Sequence, residues 1–194
     1  MPRAAKILGG LALVAALVIG LAQAISKSPK VQNGPPFDLA TAQGQLDGAP
    51  APLAALHRQA NELLPGDLGA FKKRLAALKG FPVVINKWGS WCGPCRSEFP
   101  VFQRVSTELG KRVAFLGIDG RDATDEATDF LKDFPVTYPS YPDQQETIAR
   151  YLEASNNYPI TIFVRRDGKV EIRKQGVYTE DKVLRADIKR YLGV

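Results

Sequence analysis

Two cysteines, Cys92 and Cys95, are the only ones in this chain, and just Gly93 and Pro94 separate them. A pair so close cannot tie distant parts of a fold together, but it can open and close a small disulfide ring. The run Trp88-Gly89-Ser90-Trp91-Cys92-Gly93-Pro94-Cys95 lies between a short apolar stretch and a helical pattern, which puts Cys92 where a helix begins. Unpaired backbone N–H groups and the positive end of the helix dipole there favour a thiolate over a thiol. Cys92 is therefore expected to be the nucleophile. Cys95, one turn in, is expected to attack the mixed disulfide that Cys92 forms with a partner, and Pro94 restricts the loop so that both sulfurs stay within reach. Other uses of the spacing have requirements of their own. A tetrahedral zinc site needs two more ligands, yet there is no third cysteine and the single histidine, His57, falls in a different helix, so no metal is expected. Haem attachment needs a histidine after the second cysteine, where Arg96 stands. A purely structural disulfide closing so small a ring adds little rigidity.

The flanking pattern supplies the elements that must hold this pair. Pro82-Val83-Val84-Ile85-Asn86-Lys87-Trp88 is apolar and β-branched, as a buried central strand is. A helix is expected from the second cysteine to Leu109, ended by Gly110, and the next strand over 113–118. Strand, helix and strand at this spacing form a right-handed parallel crossover. Helical spacing returns at Ala127, Phe130, Leu131 and Phe134, and again at Ile148, Tyr151 and Leu152. Strands over 160–164 and 169–174 flank Arg166-Asp167-Gly168, whose Asp-Gly pair signals a hairpin. A last helix runs from a Thr179 cap through Leu184, Ile188 and Tyr191. Ahead of the first strand, apolar residues at helical spacing predict helices over 53–64 and 68–78. The fold class is thus α/β, a mixed sheet with helices on both faces.

The 194 residues suit one domain with an appendage. Residues 7–25 are apolar apart from Gln23, follow Arg3 and Lys6, and as a helix would extend roughly 28 Å, close to a hydrocarbon core of about 30 Å. Ala22-Gln23-Ala24 also meets the small-x-small rule for cleavage. Residues 1–25 are expected to be a signal peptide or a signal anchor, either of which exports the rest. Residues 26–52, rich in proline and glycine, are expected to be a flexible tether with one short extended piece, followed by the helical extension at 53–80 and the main domain at 81–194. The formal charge of +6 falls to +4 without Arg3 and Lys6, and basic residues alternate with acidic ones. Even the cluster Arg165, Arg166, Lys169, Arg173 and Lys174 is broken by Asp167 and Glu171, a solvated edge rather than a nucleic-acid stripe.

From 82 onward the sequence resembles the thioredoxin superfamily, and within it the membrane-tethered TlpA/ResA-like thiol-disulfide oxidoreductases. The resemblance rests on Trp91-Cys92-Gly93-Pro94-Cys95, on Pro100 where the family's active-site helix kinks, on Glu98 three residues after the second cysteine, and on Tyr158-Pro159 before a strand. It implies the thioredoxin fold with an insertion over about 119–157, and a redox-active Cys92–Cys95 disulfide needing no cofactor. It also implies a carboxyl at Glu98 that exchanges a proton with Cys95; the bland alternative is a solvated glutamate. A cis bond at Pro159 is implied as well, exposing the Tyr158 backbone to an extended partner. Trp91, Gly93, Pro94, Tyr158 and Pro159 would then form the partner-binding surface. Tyr158 is bulkier than the residues common at that place, and Asn86 replaces the buried aspartate of thioredoxin proper.

Lys87 is the odd residue of the buried strand. An ammonium there must snorkel to an edge or meet a carboxylate such as Asp119; the sharper alternative is that it stabilises a thiolate. Trp88 is expected in the core and His57 at the surface or in packing. The resemblance implies exchange with cysteine-containing exported proteins and with an envelope electron donor or acceptor. It favours a reducing role, for example in cytochrome c maturation. The alternatives are a disulfide-forming oxidant and a non-catalytic peptide-binding module. A thiol peroxidase is disfavoured because nothing resembles a peroxidatic cysteine loop.

Overall fold

A computed structural model describes residues 37–194; the expected signal or anchor at 1–25 and the start of the tether lie outside the described residues. The described residues open with three helices, α1 (Leu39–Gln45), α2 (Ala51–His57) and α3 (Leu68–Ala77). Asp38 caps α1 by accepting from Thr41 N at 2.6 Å. Asp67 caps α3 through Gly69 N and Ala70 N at 2.8 and 3.1 Å. The rest alternates: β1 (Val83–Trp88), α4 (Gly93–Leu109), β2 (Ala114–Gly120), α5 (Thr124–Asp133), β3 (Ser140–Asp143), α6 (Thr147–Tyr151), β4 (Ile160–Val164), β5 (Val170–Gln175) and α7 (Asp181–Leu192). The five strands form one mixed sheet in the order β3-β2-β1-β4-β5. β1 and β2 are parallel, as are β2 and β3, while β4 runs antiparallel to both β1 and β5.

All six residues of β1 are buried, and the two-residue period of the strand sends alternate side chains to opposite faces. Val84 and Trp88 join Phe99, Phe102 and Val105 of α4 and Leu184 and Ile188 of α7 in one core. Val83 and Ile85 join Leu53 and Leu56 of α2, Phe71 of α3 and Ile148 of α6 in the other. Asn86 belongs to the first face by this alternation and Lys87 to the second.

Three sequence expectations need correction, and one strand carries no sequence signal. Part of the expected tether is helical: α1 occupies Leu39–Gln45, with Ala42 and the following Leu46 buried. It is tied to α2 by Gln43 Nε2 donating to His57 O at 3.0 Å, and a Cβ on Gly110, at the end of α4, would come within 2.7 Å of Leu46 Cδ2. The helix expected over 53–64 stops at His57; Leu63 instead makes a parallel bridge with Ser140, and Leu64 N donates to Ser140 O at 2.8 Å. The strand β3 was not foreseen, because Pro139 and Pro142 mask the alternation of a short edge strand. Finally, Thr179 does not cap α7, which begins after Glu180 with no side-chain cap bond.

Candidate active site

Cys92 is the N-cap residue of α4, with extended φ and ψ of −88° and 102°. Its Sγ accepts from Cys95 N at 3.2 Å, so the sulfur sits where the helix leaves an N–H without an intrahelical partner. Cys92 and Cys95 are joined in a disulfide. Cys92 is 4% exposed and Cys95 0%, while neighbouring Trp91, Gly93 and Pro94 are exposed; a partner thiol therefore reaches the pair from the Cys92 side. A helix-capping sulfur with a second sulfur buried behind it can perform thiol–disulfide exchange.

The turn leading to Cys92 is held from below. Asp122 accepts from Ser90 Oγ at 2.8 Å and from Ser90 N. Trp91 is 52% exposed, donates from Nε1 to Gly120 O at 3.3 Å, and meets the Tyr158 ring edge-on with centroids 4.7 Å apart. The Tyr158–Pro159 peptide bond is cis, and Pro159 O accepts from Gly176 N at 3.2 Å. The expected residues Trp91 and Tyr158 are thus brought together beside the cysteines. Trp88 is fully buried, stacked on Phe130 and edge-on to Phe99.

Glu98 is not a solvated glutamate: it is 0% exposed. One oxygen accepts from Asn86 Nδ2 at 2.6 Å and the other from Tyr178 N at 3.3 Å. Burial pushes its carboxyl up to about 8, against which the two donors pull only in part. One helical turn after Cys95, a carboxyl that titrates near neutrality can hold or accept a proton. Asp119, at the end of β2, is also buried, and burial together with neighbouring Asp122 raises it to about 9.

Lys87 does not pair with Asp119. Its Nζ bonds Glu146 Oε1 at 2.8 Å, on the face of the sheet opposite Glu98, too well occupied to serve a thiolate. Glu146, Asp122 and Arg121 carry no local signal, because Glu146 lies 59 residues from Lys87, Asp122 lies 32 from Ser90 and Arg121 lies 25 from Glu146; the one signal is that a buried lysine demands a carboxylate. Among the described residues no group of three or more His, Cys, Asp or Glu is arranged to hold a metal ion, and no helix is long and apolar enough to cross a membrane.

Residues 48–173 match the model of the AhpC/TSA family. The chain is similar to the thiol-disulfide oxidoreductase ResA of Oceanobacillus iheyensis, with 28% identity over 113 residues, 57% of this chain and 57% of that protein. Among solved structures it is similar to a putative thiol:disulfide interchange protein DsbE from Chlorobium tepidum, with a TM-score of 0.55 and 26% identity, covering 61% of this chain and 85% of that one. A secreted thiol-disulfide isomerase from Corynebacterium glutamicum gives a TM-score of 0.52 and 29% identity, covering 60% of this chain and 71% of that one. These likenesses are to thiol-disulfide oxidoreductases of the ResA/DsbE type.

Proposed function

This chain belongs to the AhpC/TSA family, and from that premise we propose that it is an extracytoplasmic thiol-disulfide oxidoreductase whose catalytic pair is Cys92 and Cys95. The observation that carries the reading is the Cys92 sulfur held at a helix start by Cys95 N–H, with Cys95 fully buried behind it. In the reducing direction the Cys92 thiolate attacks one sulfur of a partner disulfide. A mixed disulfide forms and the first partner thiolate leaves. The Cys95 thiolate then attacks Cys92 Sγ, releasing the second partner thiolate and closing the ring, so that two electrons pass to the partner. The ionised form of Glu98, a minor fraction below pH 8, takes up the Cys95 proton, a role supported by its position one turn on and by the raised basicity of its carboxylate. No cofactor takes part.

The partner peptide lies against Trp91, Gly93, Pro94, Tyr158 and Pro159, a placement supported by the Trp91–Tyr158 contact and the exposure of Trp91. Residues 1–25 export the chain as a cleaved signal or keep it at the membrane as an anchor. We assign the reducing direction, with cysteine pairs of exported proteins such as apocytochromes c as substrates and an envelope dithiol as electron donor. Its support is the likeness to ResA. Titration of the pair in glutathione buffers tests direction: a potential well below about −200 mV fits a reductant, and one near about −120 mV a disulfide-forming oxidant. A Cys95→Ser variant is expected to accumulate mixed disulfides through Cys92. An irreducible pair and no trapped partner would make the chain a peptide-binding module instead.

A further inference from the structure

Building on the oxidoreductase reading, we propose that Lys87 and Glu146 are positioning residues that fix the aromatic wall of the partner groove and thereby set how well a cysteine-bearing polypeptide is held. Lys87 is 0% exposed, and its ammonium has acceptors for all three of its donors: Glu146 Oε1 at 2.8 Å, Ala154 O at 2.9 Å and Asn157 O at 3.4 Å. It also lies 3.8 Å from the centroid of the Tyr158 ring, a cation–π contact. Glu146 Oε1 accepts in turn from Tyr158 Oη at 2.8 Å. Its Oε2 accepts from Arg121 at 2.6 Å, and Arg121 donates to Asn156 Oδ1 at 2.6 Å. One ammonium thus fastens the carbonyls of Ala154 and Asn157, which lead into the Tyr158–Pro159 loop. The same ammonium and its carboxylate grip the Tyr158 ring by its face and by its hydroxyl.

The grip passes directly to the exposed side of the site. A Cβ on Gly120 would stand 2.1 Å from Tyr158 Oη, so glycine leaves the room in which the phenol sits. The carbonyl of that glycine accepts from Trp91 Nε1, and Trp91 packs edge-on against Tyr158 immediately before Cys92. Arg121, Glu146 and Asn156 all hold left-handed backbone, with φ of 57°, 52° and 68°. Non-glycine residues adopt such conformations at a cost and keep them where the surroundings over-determine them. All three send side chains into this one network. A buried ion pair contributes little net stability compared with apolar residues of similar volume, so what the network supplies is a defined position for Tyr158.

Full-length protein carrying Lys87→Met or Glu146→Gln tests this. Four quantities are read: the reduction potential of the pair, the rate with the small molecule hydroxyethyl disulfide, and kcat and KM for reduction of insulin. Positioning predicts at least a tenfold loss of kcat/KM toward insulin, mainly in KM, with the equilibrium constant of the pair against glutathione and the small-disulfide rate each within twofold of wild type. Unchanged insulin kinetics in a folded variant overturn the proposal, as does an equal loss toward both substrates. If Lys87→Met does not fold, Glu146→Gln, which keeps the side-chain shape, decides alone. Wild-type protein inert toward both disulfides would overturn the oxidoreductase reading and this proposal with it, whereas an active wild type with indifferent variants overturns this proposal only.

Discussion

A carboxyl titrating near 8 inside a protein changes stability with pH in a definite sense. Glu98 keeps its proton up to about pH 8 in the folded chain, while the unfolded chain loses it near 4.5. Between those values the folded state binds the extra proton, so this contribution is fully present below about 4.5 and is lost as pH rises through 8. Wild-type protein is expected to show a urea midpoint that falls from pH 5 to pH 8, and Glu98→Gln a distinctly shallower fall; Asp119, raised by burial, keeps some slope in both. Glu146 works the opposite way. Burial would raise it, but hydrogen bonds from Lys87, Tyr158 and Arg121 outweigh that and hold it at about 2. Its contribution is present above about 4.5 and is lost as pH falls through 2, so Glu146→Gln is expected to remove part of the acid limb of the same profile. At this scale the sequence was informative where chemistry is local. Cys92, Cys95 and Glu98 share one helix, and their spacing alone arranges them. The partner of Lys87 was not legible, because the chain offers twenty acidic residues and only the tertiary fold selects Glu146 over Asp119.

Elements rich in apolar periodicity were read correctly: β1, α4, β2, β4 and α7 lie within a few residues of where alternation and helical spacing put them. The unexpected helix α1 and strand β3 share one physical cause. α1 contains a glycine and few large apolar residues, and β3 contains a proline, so neither carries the local signal; both form because a neighbour supplies their hydrogen bonds or buried contacts. That gives α1 a measurable energetic role. Leu46, 2% exposed at the end of α1, is expected to cost about 2–5 kcal/mol on replacement by alanine, read as a shift of the urea midpoint. A flexible tether over the same residues would give a change near zero. The cap of α3 provides a milder comparison: Asp67→Ala is expected to cost about 0.5–2 kcal/mol and to leave the reduction potential unchanged, because Asp67 serves the face of the sheet away from the cysteines.

Taken whole, the sheet divides the molecule into two cores, and the division separates tasks. One face carries α4, α7, the cysteines and Glu98; the other carries α2, α3, α6 and the Lys87–Glu146 pair that reaches round to Tyr158. Phe102 and Phe71 lie fully buried in opposite cores. Their alanine variants should each cost about 3–5 kcal/mol and combine additively within about 0.5 kcal/mol, whereas a single shared core would couple them. The function rests on the sulfur at the start of α4, and reduced protein treated with iodoacetamide across a pH series tests that most directly. Cys92 alone is expected to be alkylated, with its rate half-maximal well below the value of about 8.5 for free cysteine. A half-point at or above 8.5, or earlier modification of Cys95, would contradict it.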